Sequence, residues 1–269
     1  MKQLQDFLLV MDQEVNRAIS PRDEMLIYAR GQLPSCEASR TYYFDTGKEL
    51  ATGLLQYLLS LGLDPEQLSI LDFAAGYGRV TRWLVPTYGM VIVADLEQAM
   101  IDFHGRAFGV QGFVSCTDPQ VLLSHKKDYD IIFVFSLFTH LPQSTWRTWL
   151  GALAGRIKPG GHLIFSTHSY ELMAQLNPAQ FGDPGTWVEE FLFWEINETN
   201  GRLETSAFGC NVVKQSYVLS AVNELQDLEF VRHYKGGEFD RYHDIYVTRK
   251  NSGGTHDSSV RYHSRTALG

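Results

Sequence analysis

The feature that most constrains this chain is a series of short apolar runs separated by segments of helical length. The runs are rich in valine, isoleucine and phenylalanine and fall at 70–73, 91–95, 112–116, 130–136 and 162–167. A strand that is apolar throughout buries both of its faces, which is typical of a parallel sheet covered by helices on each side. With two closing strands at 229–235 and 241–249, the pattern predicts a doubly wound α/β fold with a mostly parallel, seven-stranded sheet.

The chain divides into five predicted parts with different roles. The longest connection, after the fifth run, exceeds an ordinary loop and is therefore interpreted as an insertion over the site. The parts are an N-terminal helical lid (1–47), the core (48–168), the insertion (169–214), a C-terminal helix with the two closing strands (215–250) and a polar, loosely held tail (251–269).

Local signals predict the elements at the start of the chain. Apolar residues at helical spacing predict a first helix over 4–19. Ser20 followed by proline predicts the start of a second helix, which Gly31 ends. Residues 32–45 are predicted to be a loop. Thr46, with a glutamate three residues on, predicts a capping box at the start of the next helix.

Three signals predict elements in the second half. Tryptophan, leucine and isoleucine at helical spacing predict a helix over 143–157. The Asn-Gly pair at 200–201 predicts the turn of a β-hairpin between 191–196 and 202–209, because both residues tolerate positive φ. A helix over about 215–226 then precedes the closing strands.

Charge and cysteine content exclude several classes of protein. The net charge is −8 and there is no run rich in lysine or arginine, which argues against nucleic acid as a partner. The three cysteines are far apart and form no CxxC pair, so neither a disulfide framework nor a thiolate metal site is expected. No signal-peptide pattern and no apolar stretch of ~20 residues is present. We therefore expect a cytoplasmic protein with no metal and no membrane partner, either a monomer or a homodimer.

The most informative stretch is ILDFAAGYGRVTRWL at 70–84. A buried strand enters a turn built from small residues, Ala74, Gly76 and Gly78, and a helix is predicted to follow. Small residues allow the backbone to approach a ligand closely, and the free N–H groups at a helix start attract anionic groups.

A carboxylate follows the next strand. Asp95 lies 17 residues after Gly78, at the edge where ligands of open α/β sheets bind, and can accept hydrogen bonds from both hydroxyls of a ribose. The alternative is a simple strand-end cap. A dinucleotide fingerprint requires a third glycine, but Thr81 stands at that position when the motif starts at Gly76. A nucleoside ligand is therefore expected, and a nicotinamide-dependent oxidoreductase is the first rival function.

Taken in order, these motifs resemble those of the class I S-adenosylmethionine-dependent methyltransferases. The first motif of that family is an acidic residue followed by alternating glycines, here Asp72, Ala74, Gly76 and Gly78, with alanine at the first glycine position. The resemblance continues through VIVAD (91–95), SCTD (115–118), DYDIIFVFSLFTHLP (128–142) and IKPGGHLIFST (157–167). It covers 48–168 closely and 215–250 loosely, and it implies a Rossmann-like sheet and S-adenosylmethionine as the cofactor.

The resemblance also implies which residues contact that cofactor. Backbone at Phe73, Ala74 and Gly76 meets its methionine part, and Asp72 orients the turn or reaches the amino group through water. The remaining roles fall to Gly78 in the turn, Asp95 on the ribose, Leu96 on the adenine ring, Thr117 and Asp118 at the adenine edge, Phe135 and Ser136 beside the sulfonium, and Tyr43 in the closing lid. The alternative for Tyr43 is a surface loop with its ring tucked onto the core. Asp118 could instead start a turn.

Two histidines are candidate general bases. His140 follows the fourth strand and His168 follows the fifth, so both lie at the predicted ligand edge. Either could take a proton from a hydroxyl or amine of the acceptor, and either could instead be structural. Aromatic residues of the insertion, such as Trp187 and Phe193, could line an acceptor pocket, pack on the sheet or form a dimer contact.

The sequence as a whole predicts an enzyme that moves a methyl group to an oxygen or nitrogen of a small-molecule acceptor. The rivals are an oxidoreductase that uses NAD(P) and a non-catalytic module that binds S-adenosylmethionine. The retained Gly76, Gly78 and Asp95 argue against the second of these.

Overall fold

A computed structural model describes residues 3–124, 127–196 and 206–252. Strands within these ranges are β1 (Ser69–Phe73), β2 (Met90–Asp95), β3 (Gln111–Val114), β4 (Tyr129–Val134), β5 (Ile157–Thr167), β6 (Phe191–Glu195), β7 (Gly209–Val213), β8 (Leu228–Tyr234) and β9 (Asp244–Lys250). The helices are α1 (Leu4–Glu14), α2 (Glu24–Gln32), α3 (Cys36–Ser60), α4 (Thr81–Leu84), α5 (Gln98–Phe108), α6 (Pro119–Ser124), α7 (Gln143–Ala154), α8 (Tyr170–Leu176), α9 (Pro178–Phe181) and α10 (Gln215–Asn223).

The main sheet has seven strands in the order β3-β2-β1-β4-β5-β9-β8. The first five are parallel, and β9 runs antiparallel between β5 and β8. This confirms the predicted mostly parallel, seven-stranded α/β fold. Strands β6 and β7 form a separate antiparallel pair in the insertion.

Helices cover both faces of the sheet. Leu71 and Phe73 of β1 face a core that includes Trp146 and Trp149 of α7, whereas Ile70 faces a core built on α3. All five residues of β1 are buried. Burial on both faces explains why this strand is a continuous apolar run in the sequence.

The prediction of a loop over 32–45 is wrong, because α3 begins at Cys36 and runs to Ser60. Ser35 is the N-cap, and its hydroxyl accepts a hydrogen bond from the amide of Ala38 at 3.0 Å. Thr46 does not cap a helix: its hydroxyl bonds back to the carbonyl of Tyr42 at 2.8 Å. The buried apolar face of α3 starts two turns before Leu50 and includes Tyr43.

Other helix boundaries also differ from the predictions. Helix α1 ends at Glu14, and α2 starts after Asp23, whose carboxylate caps it, so Ser20 and proline do not begin that helix. Gly31 lies inside α2 instead of ending it. Helix α7 ends at Ala154, because the predicted turn after it is already part of β5.

The insertion contains the predicted pair of antiparallel strands in part. Phe191–Glu195 forms the first strand as expected, but its partner is Gly209–Val213 and not the segment 202–209. The Asn-Gly pair at 200–201 and most of the tail, from 253 onward, lie outside the described residues.

Candidate active site

The site lies where the strand order reverses, between β1 and β4. The carboxyl ends of these neighbouring parallel strands lead into loops that diverge, which leaves a crevice where ligands of open α/β sheets bind. Most of the residues singled out from the sequence lie at this edge. The helix that follows the turn, α4, spans only Thr81–Leu84.

Three residues of the turn at 74–78, here called the glycine turn, have backbone dihedral angles in the left-handed region. Ala74, Gly76 and Gly78 all have positive φ, at 60°, 57° and 80°. For alanine this conformation costs ~1–2 kcal/mol. A hydrogen bond from the amide of Ala74 to the carbonyl of Ala94, at 2.9 Å, fixes the turn against β2. Strain of this kind at the end of a strand is typical of functional sites.

The two glycines of the turn serve different purposes. A Cβ atom on Gly78 would lie 2.4 Å from the ring of Phe108 and 3.0 Å from that of His104, so this glycine allows α5 to pack closely. A Cβ atom on Gly76 would meet nothing within 4 Å. The backbone of Gly76 therefore has an open face on which a ligand can lie.

Asp95 ties the end of β2 to the glycine turn. One carboxylate oxygen accepts a hydrogen bond from the amide of Gly76 and the other from the amide of Leu96, both at 2.7 Å. Each oxygen keeps a second lone pair for a ligand. Burial raises the pKa of Asp95, and the two backbone hydrogen bonds oppose that shift. The neighbouring Leu96 side chain is 39% exposed, which leaves an apolar surface beside the carboxylate.

Asp72, in β1, bonds to the helix that follows the glycine turn. It is buried, and its carboxylate accepts a hydrogen bond from the hydroxyl of Thr81 at 2.6 Å. Burial raises its pKa to about 7. This bond joins β1 to α4 across the glycine turn, so Asp72 orients the turn, which is one of the two roles that the sequence suggested.

Thr117 and Asp118 are exposed beyond the end of β3. The carboxylate of Asp118 accepts a hydrogen bond from the amide of Gln120 at 2.9 Å at the start of α6. The same segment is fixed to β2, because the amide of Ser115 donates to the carbonyl of Asp95 at 2.7 Å. Asp118 therefore starts a turn, and it also lies near the predicted adenine edge.

Phe73 and Phe135 border the crevice through their backbones, since both rings are buried. The ring of Phe73 packs on Trp149, and that of Phe135 packs on Phe133 with 3.7 Å between centroids. Ser136 follows with a positive φ of 65°. Its amide donates to the hydroxyl of Ser166 at 2.7 Å, which holds this second strained loop against β5.

The structure does not support Tyr43 as a cofactor contact. Its side chain is 0% exposed, so it presents no surface to a ligand. The hydroxyl donates to Asp23 at 2.5 Å and accepts from the guanidinium of Arg82 at 3.0 Å. Arg82 in turn donates to the carbonyl of Gly78 at 2.8 Å. Tyr43 therefore belongs to a buried network that attaches the N-terminal helices to the glycine turn.

His140 is held in one orientation by two contacts. Its Nδ1 lies 2.7 Å from the carbonyl oxygen of Gly209, and its ring stacks on that of Phe208 with 4.5 Å between centroids. Since a carbonyl only accepts, Nδ1 carries the proton and Nε2 keeps its lone pair. Burial lowers the pKa of His140 to about 4, and the hydrogen bond to Gly209 partly opposes the shift. His140 is thus a neutral imidazole.

His168 stacks on His243, with 5.2 Å between ring centroids. Burial lowers the pKa of His168 well below its ordinary value, and the nearby His243 and His140 lower it further. These three side chains, here called the histidine cluster, come from the loops after β4 and β5 and from the loop before β9. The sequence analysis did not identify His243.

Asp240 is the second residue that the sequence analysis missed. It is buried, and one carboxylate oxygen accepts a hydrogen bond from Nδ1 of His243 at 2.5 Å and from the amide of Tyr242 at 3.1 Å. Burial is the largest influence on Asp240 and opposes its ionisation. The hydrogen bonds from His243 and Tyr242, with the charges of His243 and Arg79, together outweigh burial and lower the pKa. The sequence signal that could have identified this pair is an aspartate three residues before a histidine, in the short loop between the two closing strands.

The aromatic residues of the insertion mostly pack on one another and on the core. Trp187 contacts Tyr170 and donates from its indole nitrogen to the carbonyl of Phe181 at 2.7 Å. Phe191 packs on Tyr217 of the main core. These contacts favour a packing role for Trp187 and Phe191 and argue against the alternative in which they line an acceptor pocket.

The described residues contain neither a metal-binding group nor a membrane-spanning helix. Histidine, cysteine and carboxylate side chains nowhere form a group of three or more that could hold a metal ion in this part of the chain. Among the helices within the same residues, none is long and apolar enough to cross a membrane.

Comparison with known sequences places this site in a recognised kind of domain. Residues 70–161 match the family model described as a methyltransferase domain. A ubiquinone biosynthesis O-methyltransferase from Coxiella burnetii is 28% identical over 110 residues, covering 40% of this chain and 46% of that protein. A phosphoethanolamine N-methyltransferase from Triticum aestivum is 25% identical over 179 residues, covering 63% and 35%. The matched part of the chain thus spans less than half of the length of each of these relatives.

Solved structures share the fold. A magnesium protoporphyrin IX methyltransferase from Synechocystis, with bound S-adenosylhomocysteine, superposes with a TM-score of 0.57 at 16% identity, covering 91% of this chain and 99% of that one. The N-methyltransferase NodS from Bradyrhizobium japonicum, also with S-adenosylhomocysteine, gives 0.51 at 18% identity, covering 85% and 99%. The Rossmann-like fold predicted from the sequence is therefore confirmed.

Proposed function

We propose that the chain is a class I S-adenosylmethionine-dependent methyltransferase that moves a methyl group to an oxygen or nitrogen atom of a small-molecule acceptor. The match of residues 70–161 to a methyltransferase domain and the shared fold support this proposal. The observation that carries this proposal is the open face of Gly76 beside the carboxylate of Asp95. A nucleoside with a charged amino-acid tail requires a backbone it can approach and a carboxylate for its ribose, and this edge of the sheet offers both.

The residues of the edge fit the cofactor in detail. The lone pairs that Asp95 does not use for Gly76 and Leu96 can accept the ribose hydroxyls. The exposed Leu96 side chain offers an apolar surface for the adenine ring. Thr117 and Asp118 follow at the adenine edge. The backbone of Phe73, Ala74, Gly76 and Gly78 would hold the methionine part, with Phe135 and Ser136 on the far side of the crevice.

The cofactor would supply an electrophilic methyl group on a positively charged sulfur. The protein's own contribution is to hold the acceptor atom in line with that methyl group and to exclude water. Placing two reactants in this way supplies much of the rate of a displacement reaction. The strained loops at Ala74 and Ser136 suit this role, because hydrogen bonds to β2 and β5 fix both of them.

The acceptor belongs on the side of the histidine cluster. His140 and His168, predicted from the sequence as candidate general bases, stay predictions on this side. His140 follows β4, which flanks the crevice, and His168 follows the neighbouring β5. Their lowered pKa values make them neutral hydrogen-bonding groups and weak bases. The two sequence relatives are named for O- and N-methylation, so both acceptor atoms remain in the proposal.

Transfer of a labelled methyl group tests the proposal. The purified chain is incubated with S-adenosylmethionine labelled on its methyl group and with catechol, phenol, benzoate, aniline or ethanolamine in turn. We expect labelled product from at least one acceptor, with an equal amount of S-adenosylhomocysteine. Asp95→Ala is the control and should abolish most of the transfer.

Binding separates failure of the acceptor panel from failure of the proposal. A protein that binds S-adenosylhomocysteine but labels no acceptor retains the cofactor site and lacks its acceptor. A protein that binds neither adenosyl ligand contradicts the proposed function.

A further inference from the structure

We propose that His243, oriented by Asp240, is the general base that removes the proton from a hydroxyl group of the acceptor. This inference rests on the proposed function and assigns to it a residue pair that the sequence motifs do not contain. The pair lies in the loop between β8 and β9, far along the chain from the glycine turn.

The hydrogen bonds of the pair fix the state of the imidazole. Asp240 is an ionised acceptor, so Nδ1 of His243 must donate to it and therefore carries the ring proton. Nε2 then has a free lone pair on the opposite side of the ring, and it makes no hydrogen bond to any described residue. The side chain of His243 keeps 13% of its surface exposed, whereas that of Asp240 keeps 1%. A buried carboxylate that orients a partly exposed imidazole is the arrangement that a general base requires.

The sheet register places the pair at the ligand edge. Thr167, the last residue of β5, pairs with Asp244, the first residue of β9. His168 and His243 extend from these two strand ends, and their rings stack there. Phe239 of the same loop lies against Phe135, with 6.3 Å between ring centroids. The loop therefore lines the crevice on the side of β4 and β5.

Unsatisfied polar atoms at this edge point to a ligand. The hydroxyl of Thr167 and Nδ1 of His168 are both buried without a hydrogen-bond partner among the described residues. A buried polar group without a partner is unfavourable, so water or a polar ligand is expected to bond to these atoms. A hydroxyl acceptor placed beside them would lie next to His243.

His243 differs from its two neighbours in having a carboxylate as a hydrogen-bond partner. Burial lowers the pKa of His140 to about 4 and that of His168 well below its ordinary value. No carboxylate of a described residue is hydrogen-bonded to either ring. The charged or titratable groups around His243 are Asp240 in its own loop, His168 and His140 from the strand ends, and Arg79, whose charge acts on Asp240. Of the three imidazoles, only His243 is hydrogen-bonded to a carboxylate among the described residues.

The proton balance fits an oxygen acceptor. The acceptor oxygen loses its proton to Nε2 of His243 while its electron pair forms the new bond to carbon. His243 becomes an imidazolium whose charge Asp240 offsets, and the proton later passes to solvent. An amine acceptor is nucleophilic in its neutral form and can lose its extra proton to water after transfer, so it does not require this base.

Kinetics with the hydroxyl probes catechol and phenol test the assignment. In wild-type protein we expect kcat to fall at low pH, where the required imidazole is protonated. His243→Gln should lower kcat by about 100-fold or more and remove that dependence on pH. Asp240→Asn should lower kcat at least about tenfold, because an amide does not hold the required tautomer. Neither variant should change the Kd for S-adenosylhomocysteine by more than about twofold, which also shows that each is folded.

His233→Gln is the matched control. His233 also pairs with a buried aspartate, Asp244, at 2.8 Å, but it lies on the edge strand β8 and stacks on Tyr246. We expect its kcat and its pH profile to equal those of the wild type. Added imidazole should restore part of the activity of His243→Ala, which a purely structural histidine would not show.

Each remaining outcome decides the question. Unchanged kcat in His243→Gln overturns the assignment, and so does a lowered kcat with an unchanged pH profile and no rescue by imidazole. Two further outcomes count against His243 as the base but leave the proposed function intact. One is methylation of aniline or ethanolamine without methylation of either hydroxyl probe. The other is binding of S-adenosylhomocysteine without any methylated hydroxyl product. Absence of adenosyl binding contradicts the proposed function itself.

Discussion

The glycine turn and the histidine cluster occupy the same edge of one sheet but are built in opposite ways. The glycine turn uses backbone groups from one short segment, fixed by Asp95 from the next strand along the chain. The histidine cluster uses side chains from three loops, and the residues of its Asp240–His243 pair lie more than 140 positions beyond Asp95. Local backbone geometry thus defines the proposed cofactor side, and tertiary packing defines the proposed acceptor side.

This difference explains how the two sides can vary independently. Few sequences can form a site made of strained backbone and a single carboxylate, because glycine is required where φ is positive and a ligand comes close. A site made of side chains on loops can change with each loop. The comparison predicts that substitutions at the glycine turn alter binding of the cofactor, whereas substitutions in the histidine cluster alter turnover.

The largest effect on cofactor binding is expected for Asp95→Ala. The change removes the acceptor for the ribose hydroxyls and also releases the amide of Gly76. Loss of charge-assisted hydrogen bonds of ~1.5–3 kcal/mol corresponds to a weakening of at least about tenfold and up to about 100-fold. Calorimetric titration with S-adenosylhomocysteine measures it. Asp64→Ala is the control, because within the described part of the chain this carboxylate bonds only to the backbone amide of Glu66. Equal affinities in the two variants would refute the role of Asp95.

A smaller loss is expected for Gly76→Ala. The added Cβ atom would occupy the open face of the turn, and we expect affinity for S-adenosylhomocysteine to fall about tenfold. The positive φ also costs ~1–2 kcal/mol of stability. Gly62→Ala is matched, because Gly62 has a φ of 72° and an equally open Cβ position at the end of α3. Thermal unfolding should show similar losses for both variants. If Gly62→Ala weakens binding as much as Gly76→Ala does, the loss reflects stability and not the ligand.

Tyr43→Phe should affect stability and leave binding almost unchanged. Removing the hydroxyl leaves Asp23 and Arg82 each without one buried partner, which we expect to cost ~1–3 kcal/mol in the free energy of unfolding. Denaturant titration measures this. Tyr57→Phe is the control, since the buried hydroxyl of Tyr57 bonds to no described residue. A tenfold loss of adenosyl affinity in Tyr43→Phe would restore Tyr43 as a cofactor contact.

The smallest effect on binding is expected for His140→Ala. Its ring bonds to the carbonyl of Gly209 on the acceptor side, so the Kd for S-adenosylhomocysteine should stay within about twofold of the wild-type value. Turnover with a methylated acceptor should fall, because a neutral hydrogen-bonding group is lost. Unchanged turnover would show that His140 has no role in the site. A large change in Kd would show that the proposed cofactor and acceptor sides are not independent.

Sequence reasoning worked where the structure depends on local pattern. The five parallel strands are continuous apolar runs, and the glycine turn and Asp95 follow β1 and β2 directly, so strand ends predicted the edge at which they meet. Helix boundaries near α2 and α3 were harder, because Thr46 and Ser20 have the residue types of N-caps but bond elsewhere.

The histidine cluster could be predicted only in part. His140 and His168 follow strands of the parallel sheet, which placed them at the ligand edge. His243 precedes an antiparallel strand, so its position depends on the pairing of Thr167 with Asp244, which no local pattern records. Burial of Tyr43 was one of two alternatives predicted from the sequence, but its buried partners were not predicted, for a similar reason. Its partners Asp23 and Arg82 lie 20 and 39 positions away along the chain.

One measurement tests the central claim that the glycine turn and Asp95 form an adenosyl site independent of the acceptor. Calorimetric titration of the purified protein with S-adenosylhomocysteine, and separately with NAD, needs no knowledge of the acceptor. The account predicts a Kd for S-adenosylhomocysteine of about micromolar, one site per chain and no heat from NAD. Binding of NAD without binding of the adenosyl ligand would contradict it and favour an oxidoreductase.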